Sequence, residues 1–280
     1  MIRKLYLAYK NGGIKGILKK TYNKVFPRFS FDEVDIVSQV LLDKGREYNE
    51  GSRIMIDVGG HHGTAMRDFA KRSWRIYAFE PDRNNRKILL SFAKKYKNIT
   101  VDPRGCSNEN KKDVPFFTSP ESSGISGFSK FVDTHEVTNM VDLITLRDYI
   151  KEQEIPHVDF LKIDTEGFDF FVIQGFPFDT HDPNIIVCEF EDKKTMPLGY
   201  SKDELATYLV EKGYRVIVSE WHPIVRYGIE HQWKDYYEYG TKDTSESGWG
   251  NIVACKEEFF DAVCSGFNTA EQLYKASHSS

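Results

Sequence analysis

Ile54-Met55-Ile56-Asp57-Val58-Gly59-Gly60-His61-His62-Gly63-Thr64 reads as a buried strand, an acid, a glycine turn and a helix start. Glycines placed there let the chain turn sharply and let its backbone come close to a ligand. The next apolar run, Arg75-Ile76-Tyr77-Ala78-Phe79-Glu80-Pro81, ends in a carboxylate 21 residues after Gly59. In a nucleotide-binding fold that position meets the ribose hydroxyls. The two runs point to an adenosine-type ligand at the carboxyl edge of a sheet.

Working outward, further strand-like runs lie at 99–101, 158–164, 185–190, 214–218 and 251–254. Helix-like segments near 64–72, 82–97, 145–154, 167–174 and 201–212 separate most of them. This alternation predicts an α/β fold, a parallel sheet with helices on both faces. Ser201 with Glu204 forms a capping-box pattern, and Gly213 suits a helix end. Residues 107–143 break the rhythm and read as an insertion near the sheet's carboxyl edge.

The glycine turn does not fit every nucleotide. A dinucleotide fingerprint needs G-x-G-x-x-G, but Val58 stands at the first glycine position. A phosphate loop needs Lys-Ser/Thr after its glycines, and none follows. S-adenosylmethionine has no phosphates, and its positive methionine end suits the field of Asp57.

With Val158-Asp159-Phe160-Leu161-Lys162-Ile163-Asp164-Thr165-Glu166-Gly167-Phe168-Asp169 added to these two motifs, residues 53–192 resemble the FkbM family of S-adenosylmethionine-dependent methyltransferases. Gln174-Gly175 and Ile186-Val187-Cys188-Glu189 continue the pattern. The chain departs from it at Gly60-His61, where the family usually has Ala-Asn, and at His62, where it has an aliphatic residue. The resemblance implies a Rossmann-like, seven-stranded class I methyltransferase sheet acting on a hydroxyl of a sugar, polyketide or other small metabolite. It implies that Gly59, His61 and Gly63 line the methionine part of the cofactor, with Glu80 on the ribose. Cys106 and Ser107 would lie near the adenine, and Asp164 would face the methyl.

Methyl transfer to an alcohol needs a held geometry and a base for the hydroxyl proton. Asp164 or Glu166 is the expected base, with Glu189 and His222 as competitors. Carboxylates converging on one edge would also suit Mg²⁺, which ranks below a metal-free mechanism. His61 and His62 lack a third ligand at zinc spacing, so no metal is assigned.

Segment 221–249 holds Trp221, Tyr227, Trp233, Tyr236, Tyr237, Tyr239 and Trp249. It reads as an acceptor-binding flap, or alternatively as an aromatic cover on the sheet edge or a dimer contact. The expected organisation is a basic helical arm at 1–50, a methyltransferase domain at 51–265 and a C-terminal tail at 266–280, whose small polar end, Ser277-His278-Ser279-Ser280, reads as frayed.

The net charge of −4 is an average of unlike parts. Residues 1–28 carry eight bases and no acid, +8, which leaves −12 for the rest. The balance argues against a nucleic-acid binder. The arm's basic amphipathic spacing suits an anionic membrane surface, or packing on the acidic body of its own or a partner subunit. Four cysteines without a C-x-x-C pair read as reduced thiols. No apolar run reaches the roughly eighteen residues of a spanning helix. The expectation is a cytoplasmic protein that touches the inner face of a membrane at most. The function expected is O-methylation of a saccharide, glycolipid or related small metabolite. The alternatives are a catalytically silent Rossmann-like subunit of a glycan-assembly complex and, ranked last, a nicotinamide-dependent oxidoreductase.

Overall fold

Five of the seven strands of the sequence pattern are followed by a helix. The computed structural model describes residues 30–44, 52–119, 126–131, 133–224, 231–242 and 248–278. The basic stretch 1–28 and Tyr227 lie outside them. Helix α1 (Glu33–Lys44) leads into β1 (Ile54–Val58), α2 (Arg67–Lys71), β2 (Arg75–Phe79), α3 (Arg83–Ala93) and β3 (Ile99–Asp102). Then come β4 (Gly105–Cys106), β5 (Lys111–Thr118), β6 (Glu136–Ile144), α4 (Leu146–Glu152), β7 (Phe160–Ile163) and α5 (Asp169–Gln174). The chain continues through β8 (Ile185–Glu191), α6 (Asp192–Thr195), α7 (Lys202–Glu211), β9 (Arg215–Trp221), β10 (Trp233–Glu238), β11 (Trp249–Cys255) and α8 (Glu257–His278).

The main sheet has the order β10-β9-β11-β8-β7-β1-β2-β3. β1 pairs in parallel with β2 and β7, so all five of its residues are buried. That is why its sequence is a continuous apolar run broken only by Asp57. β11 runs antiparallel between β8 and β9. Helix starts follow local chemistry. Asp82 accepts from the amides of Asn84 and Asn85 at the head of α3, and Ser201 with Glu204 closes the capping box of α7. One core layer gathers Leu146, Tyr149, Val172, Leu205 and Leu209 on one face of the sheet. The other gathers Leu41, Phe69, Leu89, Phe259 and Phe267 on the opposite face.

Three expectations about organisation change. The sheet has eight strands, not seven, because residues 233–238 of the aromatic segment add β10 to the edge of β9. A bulge between Trp233 and Asp235 breaks the alternation of its side chains. Trp233 therefore joins the α1/α8 layer and Tyr237 the opposite one. Both are buried, and Trp233 stacks on Phe31 with ring centroids 4.2 Å apart. These two aromatics cover the sheet rather than facing an acceptor. Residues 266–278 are not a tail separate from the domain, since α8 crosses position 265 unbroken and buries Phe267 and Ala270 against the body. Within the 1–50 arm, α1 is seated on the domain, with Ile36, Val37 and Leu41 in the core. The insertion forms a separate small sheet, β4-β6-β5.

Candidate active site

The turn after β1 forms a cradle that only glycine can fill. The amides of Gly59 and Gly60 both donate to the carbonyl of Phe79, which ties the tip of β1 to that of β2. Gly59 has φ +84°, and a Cβ there would stand 1.9 Å from the carbonyl oxygen of Asp164. The backbones of the first and fourth parallel strands therefore touch at this point. Gly63 also has positive φ, but its missing Cβ makes room for the ring of Phe92. It shapes the turn and is not part of the cavity wall.

Above this cradle lies a cavity of about 500 Å³, with Gly59, His61, Glu80, Cys106, Asp164, Glu166 and Glu189 in its wall. Glu80 is buried, and its two carboxylate oxygens accept from the amides of His61 (2.7 Å) and Asp82 (2.9 Å). Burial pushes its pKa up to about 8, against the pull of those amides. Asp57 lies beneath the wall, fully buried, with no hydrogen-bond partner for either oxygen among the described residues. Lys162 Nζ stands 3.3 Å from Asp57 and 3.4 Å from Asp164, and donates to the carbonyl of Gly59. Burial alone would depress the lysine. The two carboxylates outweigh it and hold the ammonium charged.

A second cluster forms where β7 and β8 end. Carboxylate oxygens of Asp164, Glu166 and Glu189 lie within 4.8 Å of one another. Such a trio could ligate a cation, and the sequence assigned no metal here. The ammonium of Lys194 already serves the cluster, 2.5 Å from Glu166 and 2.6 Å from Glu191. Burial pushes Glu166 up to about 7 although Lys194 opposes it, and burial likewise raises Glu189 well above the usual carboxylate range. Asp169 is fully buried behind them and accepts from Thr165 Oγ1 and from the amide of Glu189, fixing both strand ends.

The sequence candidates thus separate. Asp57, Gly59, His61, Glu80, Cys106, Asp164, Glu166 and Glu189 share one cavity or its floor. His222 does not join them. It is exposed and absent from the cavity wall, because the chain leaves β9 there and turns outward, and its carbonyl accepts from Trp249 Nε1. Ser107 is buried, and its hydroxyl lies 3.3 Å from Asn108 Oδ1 rather than on the cavity wall. Burial keeps the Cys106 thiol protonated, so it offers surface, not a nucleophile. The residues that sequence reasoning missed are Lys162 and Lys194, the counter-charges, together with Asp32, Glu33 and Asn251 in the wall. Asp32 and Glu33 fell inside the arm, where the only legible signal was an Asp followed by a helical pattern.

The residues fit S-adenosylmethionine. Gly59 and His61 stand in the wall at the tip of β1, the carboxylates of Asp57 and Asp164 outnumber the single Lys162 ammonium between them beneath a cationic ligand, and the Glu80 carboxylate lines the cavity where it would meet a ribose. A mainly parallel sheet with the antiparallel strand β11 inserted between β8 and β9, and a cavity at the tips of β1 and β2, defines a class I, Rossmann-like methyltransferase. Residues 57–216 match the model of the Methyltransferase FkbM domain, and the chain belongs to that family. It is an S-adenosylmethionine-dependent methyltransferase.

The hexuronic acid methyltransferase AglP of Haloferax volcanii is 20% identical over 221 residues, covering 74% of this chain and 89% of AglP. Among solved structures, the chain is similar to a precorrin-6y C5,15-methyltransferase from Geobacter metallireducens (15% identity, 79% and 88% of the two chains, TM-score 0.39). It is also similar to a SAM-dependent O-methyltransferase from Thermotoga maritima (14% identity, 84% and 69%, TM-score 0.37). No helix among the described residues is long and apolar enough to cross a membrane.

Proposed function

We propose that the protein transfers the methyl group to an oxygen, on a hydroxyl of a saccharide, glycolipid or related small metabolite. The observation that carries this reading is the carboxylate trio Asp164, Glu166 and Glu189, held beside the glycine cradle in one cavity. An alcohol is a poor nucleophile until a base takes its proton, and on this reading one of these acids takes it. The weak likeness to AglP, named for hexuronic acid, favours a sugar.

Gly59, His61 and Glu80 would hold the cofactor, which supplies an electrophilic methyl on a sulfonium. Asp164, about half exposed to the cavity, faces that methyl and orients the acceptor hydroxyl. Glu166 takes the proton, because burial tunes it to about 7, close to the working pH. Lys194 keeps the cluster from accumulating uncompensated charge before the proton arrives.

Calorimetry with S-adenosylhomocysteine, followed by turnover on a panel of methyl glycosides that includes a neutral hexoside and a hexuronide, tests the reading. Binding of the homocysteine product and formation of an O-methyl ether are expected. Binding without turnover on any member of the panel overturns the saccharide assignment.

A further inference from the structure

One wall of the cavity is built by residues outside the matched span of 57–216. Glu33, in the first turn of α1, is 3% exposed and lines the cavity with Trp221 and Asn251. Its Oε1 accepts from Ser219 Oγ at 2.6 Å and from Trp221 Nε1 at 2.8 Å, and its Oε2 accepts from Asn251 Nδ2 at 3.1 Å. A helix from before the first strand is thereby hydrogen-bonded to β9 and β11.

A neighbouring buried acid shows what a purely structural carboxylate looks like in this fold. Glu220 is bound by Lys202 (2.9 Å), Lys234 (3.1 Å) and Tyr237 (2.9 Å), and it does not line the cavity. Its charge is neutralised where it stands. The Glu33 side chain has three neutral side-chain donors, a backbone bond from its own amide and no ion pair among the described residues, and it borders the cavity. Taking a carboxylate out of water without a counter-charge is costly, so a core that needed only packing would be better served by an apolar side chain. Oε1 is tied to two donors, one of them the fully buried Ser219. Oε2 meets a single side-chain donor and keeps acceptor capacity. The bond from Trp221 also fixes the indole, whose ring borders the same space and offers an apolar face.

Resting on the saccharide reading above, we infer that Glu33 is a specificity-determining residue: its carboxylate accepts a hydrogen bond from a second acceptor hydroxyl, one that is not methylated, and so selects which hydroxyl reaches Asp164 and Glu166. Asn251 is a positioning residue that aims Oε2.

The test uses the full chain, S-adenosylmethionine, and methyl glucopyranoside or methyl glucuronide, whichever is turned over, together with the monodeoxy analogues of that sugar. Assayed at pH 8.5, where the Glu33 carboxylate is ionised, Glu33→Gln should raise acceptor KM about tenfold, the effect of losing one hydrogen bond to a charged group. Its kcat should stay within about twofold, and its affinity for S-adenosylhomocysteine should be unchanged. In the wild-type protein one deoxy analogue should carry a KM penalty that shrinks in Glu33→Gln, because the amide nitrogen in place of Oε2 can no longer accept from that hydroxyl. A merely structural glutamate would leave every deoxy penalty in place, and that result overturns the assignment. If Glu33→Gln does not fold, Asn251→Ser is read in the same way, with a KM rise of a few-fold and a reduced penalty for the same analogue. Failure of the wild-type protein, still binding S-adenosylhomocysteine, to methylate either sugar overturns the saccharide reading and this inference with it.

Discussion

Glu166 and His61 are non-glycine residues with positive φ, +56° and +44°, and both line the cavity. Such backbone costs about 1–3 kcal/mol and persists only where the surroundings impose it. Around Glu166 the surroundings are the Lys194 ammonium on its side chain and the Tyr200 hydroxyl donating to the carbonyl of Gly167, next in the chain. The carboxylate is thus fixed and partly desolvated, which is how a glutamate becomes a base near neutral pH. Glu166→Gln keeps the shape and removes the basicity. We expect kcat to fall by about 10²–10⁴-fold, with affinity for S-adenosylhomocysteine unchanged by calorimetry. The acidic limb of the kcat profile near pH 7 should vanish with it. A variant that retains wild-type kcat would return the role of base to Asp164.

At the scale of elements, β10 shows where the sequence was legible and where it was not. β1, β2, β7 and β8 were plain because strands buried on both faces must be apolar throughout. The site residues at or near their tips, Asp57, Glu80, Asp164 and Glu189, were legible for the same reason, since an acid stands out within or at the end of a largely apolar run. Trp233-Lys234-Asp235-Tyr236-Tyr237-Glu238 is an edge strand with a bulge, so its apolar residues follow neither a period of two nor a continuous run. Its aromatics looked like a binding surface because nothing in the local pattern says that Phe31, more than two hundred residues earlier, stacks on Trp233. Glu33 was hidden by the same distance. Its partners Ser219, Trp221 and Asn251 are 186 to 218 residues away. From the observed packing, Trp233→Ala should cost about 3–5 kcal/mol of stability, read by denaturant unfolding. A flap residue would instead raise acceptor KM and leave unfolding unchanged.

Across the whole molecule, the acidic body places several of its carboxylates at one cavity in a form that resists ionisation. Burial raises Glu33 to about 7, Glu80 to about 8 and Glu166 to about 7. In the unfolded chain these groups ionise near 4.5, so between that value and about 8 the folded state holds protons that the unfolded state has released. Stability from this source is complete below about 4.5 and is lost as pH rises through the folded values. Glu220 has the opposite sign, because Lys202, Lys234 and Tyr237 overcome its burial and hold it at about 2. Its contribution is constant above about 4.5 and drops out of the window. His61, lowered by burial, gains stability for the fold as pH rises through 6.5, so the cleanest comparison begins above that point. Between about pH 7 and 8.5 the melting temperature of the ligand-free protein should fall by several degrees, at about 2–4 °C per kcal/mol for a chain approaching this size. S-adenosylhomocysteine should counter the fall, because ribose hydroxyls donating to Glu80 favour its ionised form. The melting shift it produces should therefore be larger at pH 8.5 than at pH 7, and Glu80→Gln should make that shift independent of pH. A ligand shift that shrinks with rising pH would mean that the ribose is not held by the Glu80 carboxylate.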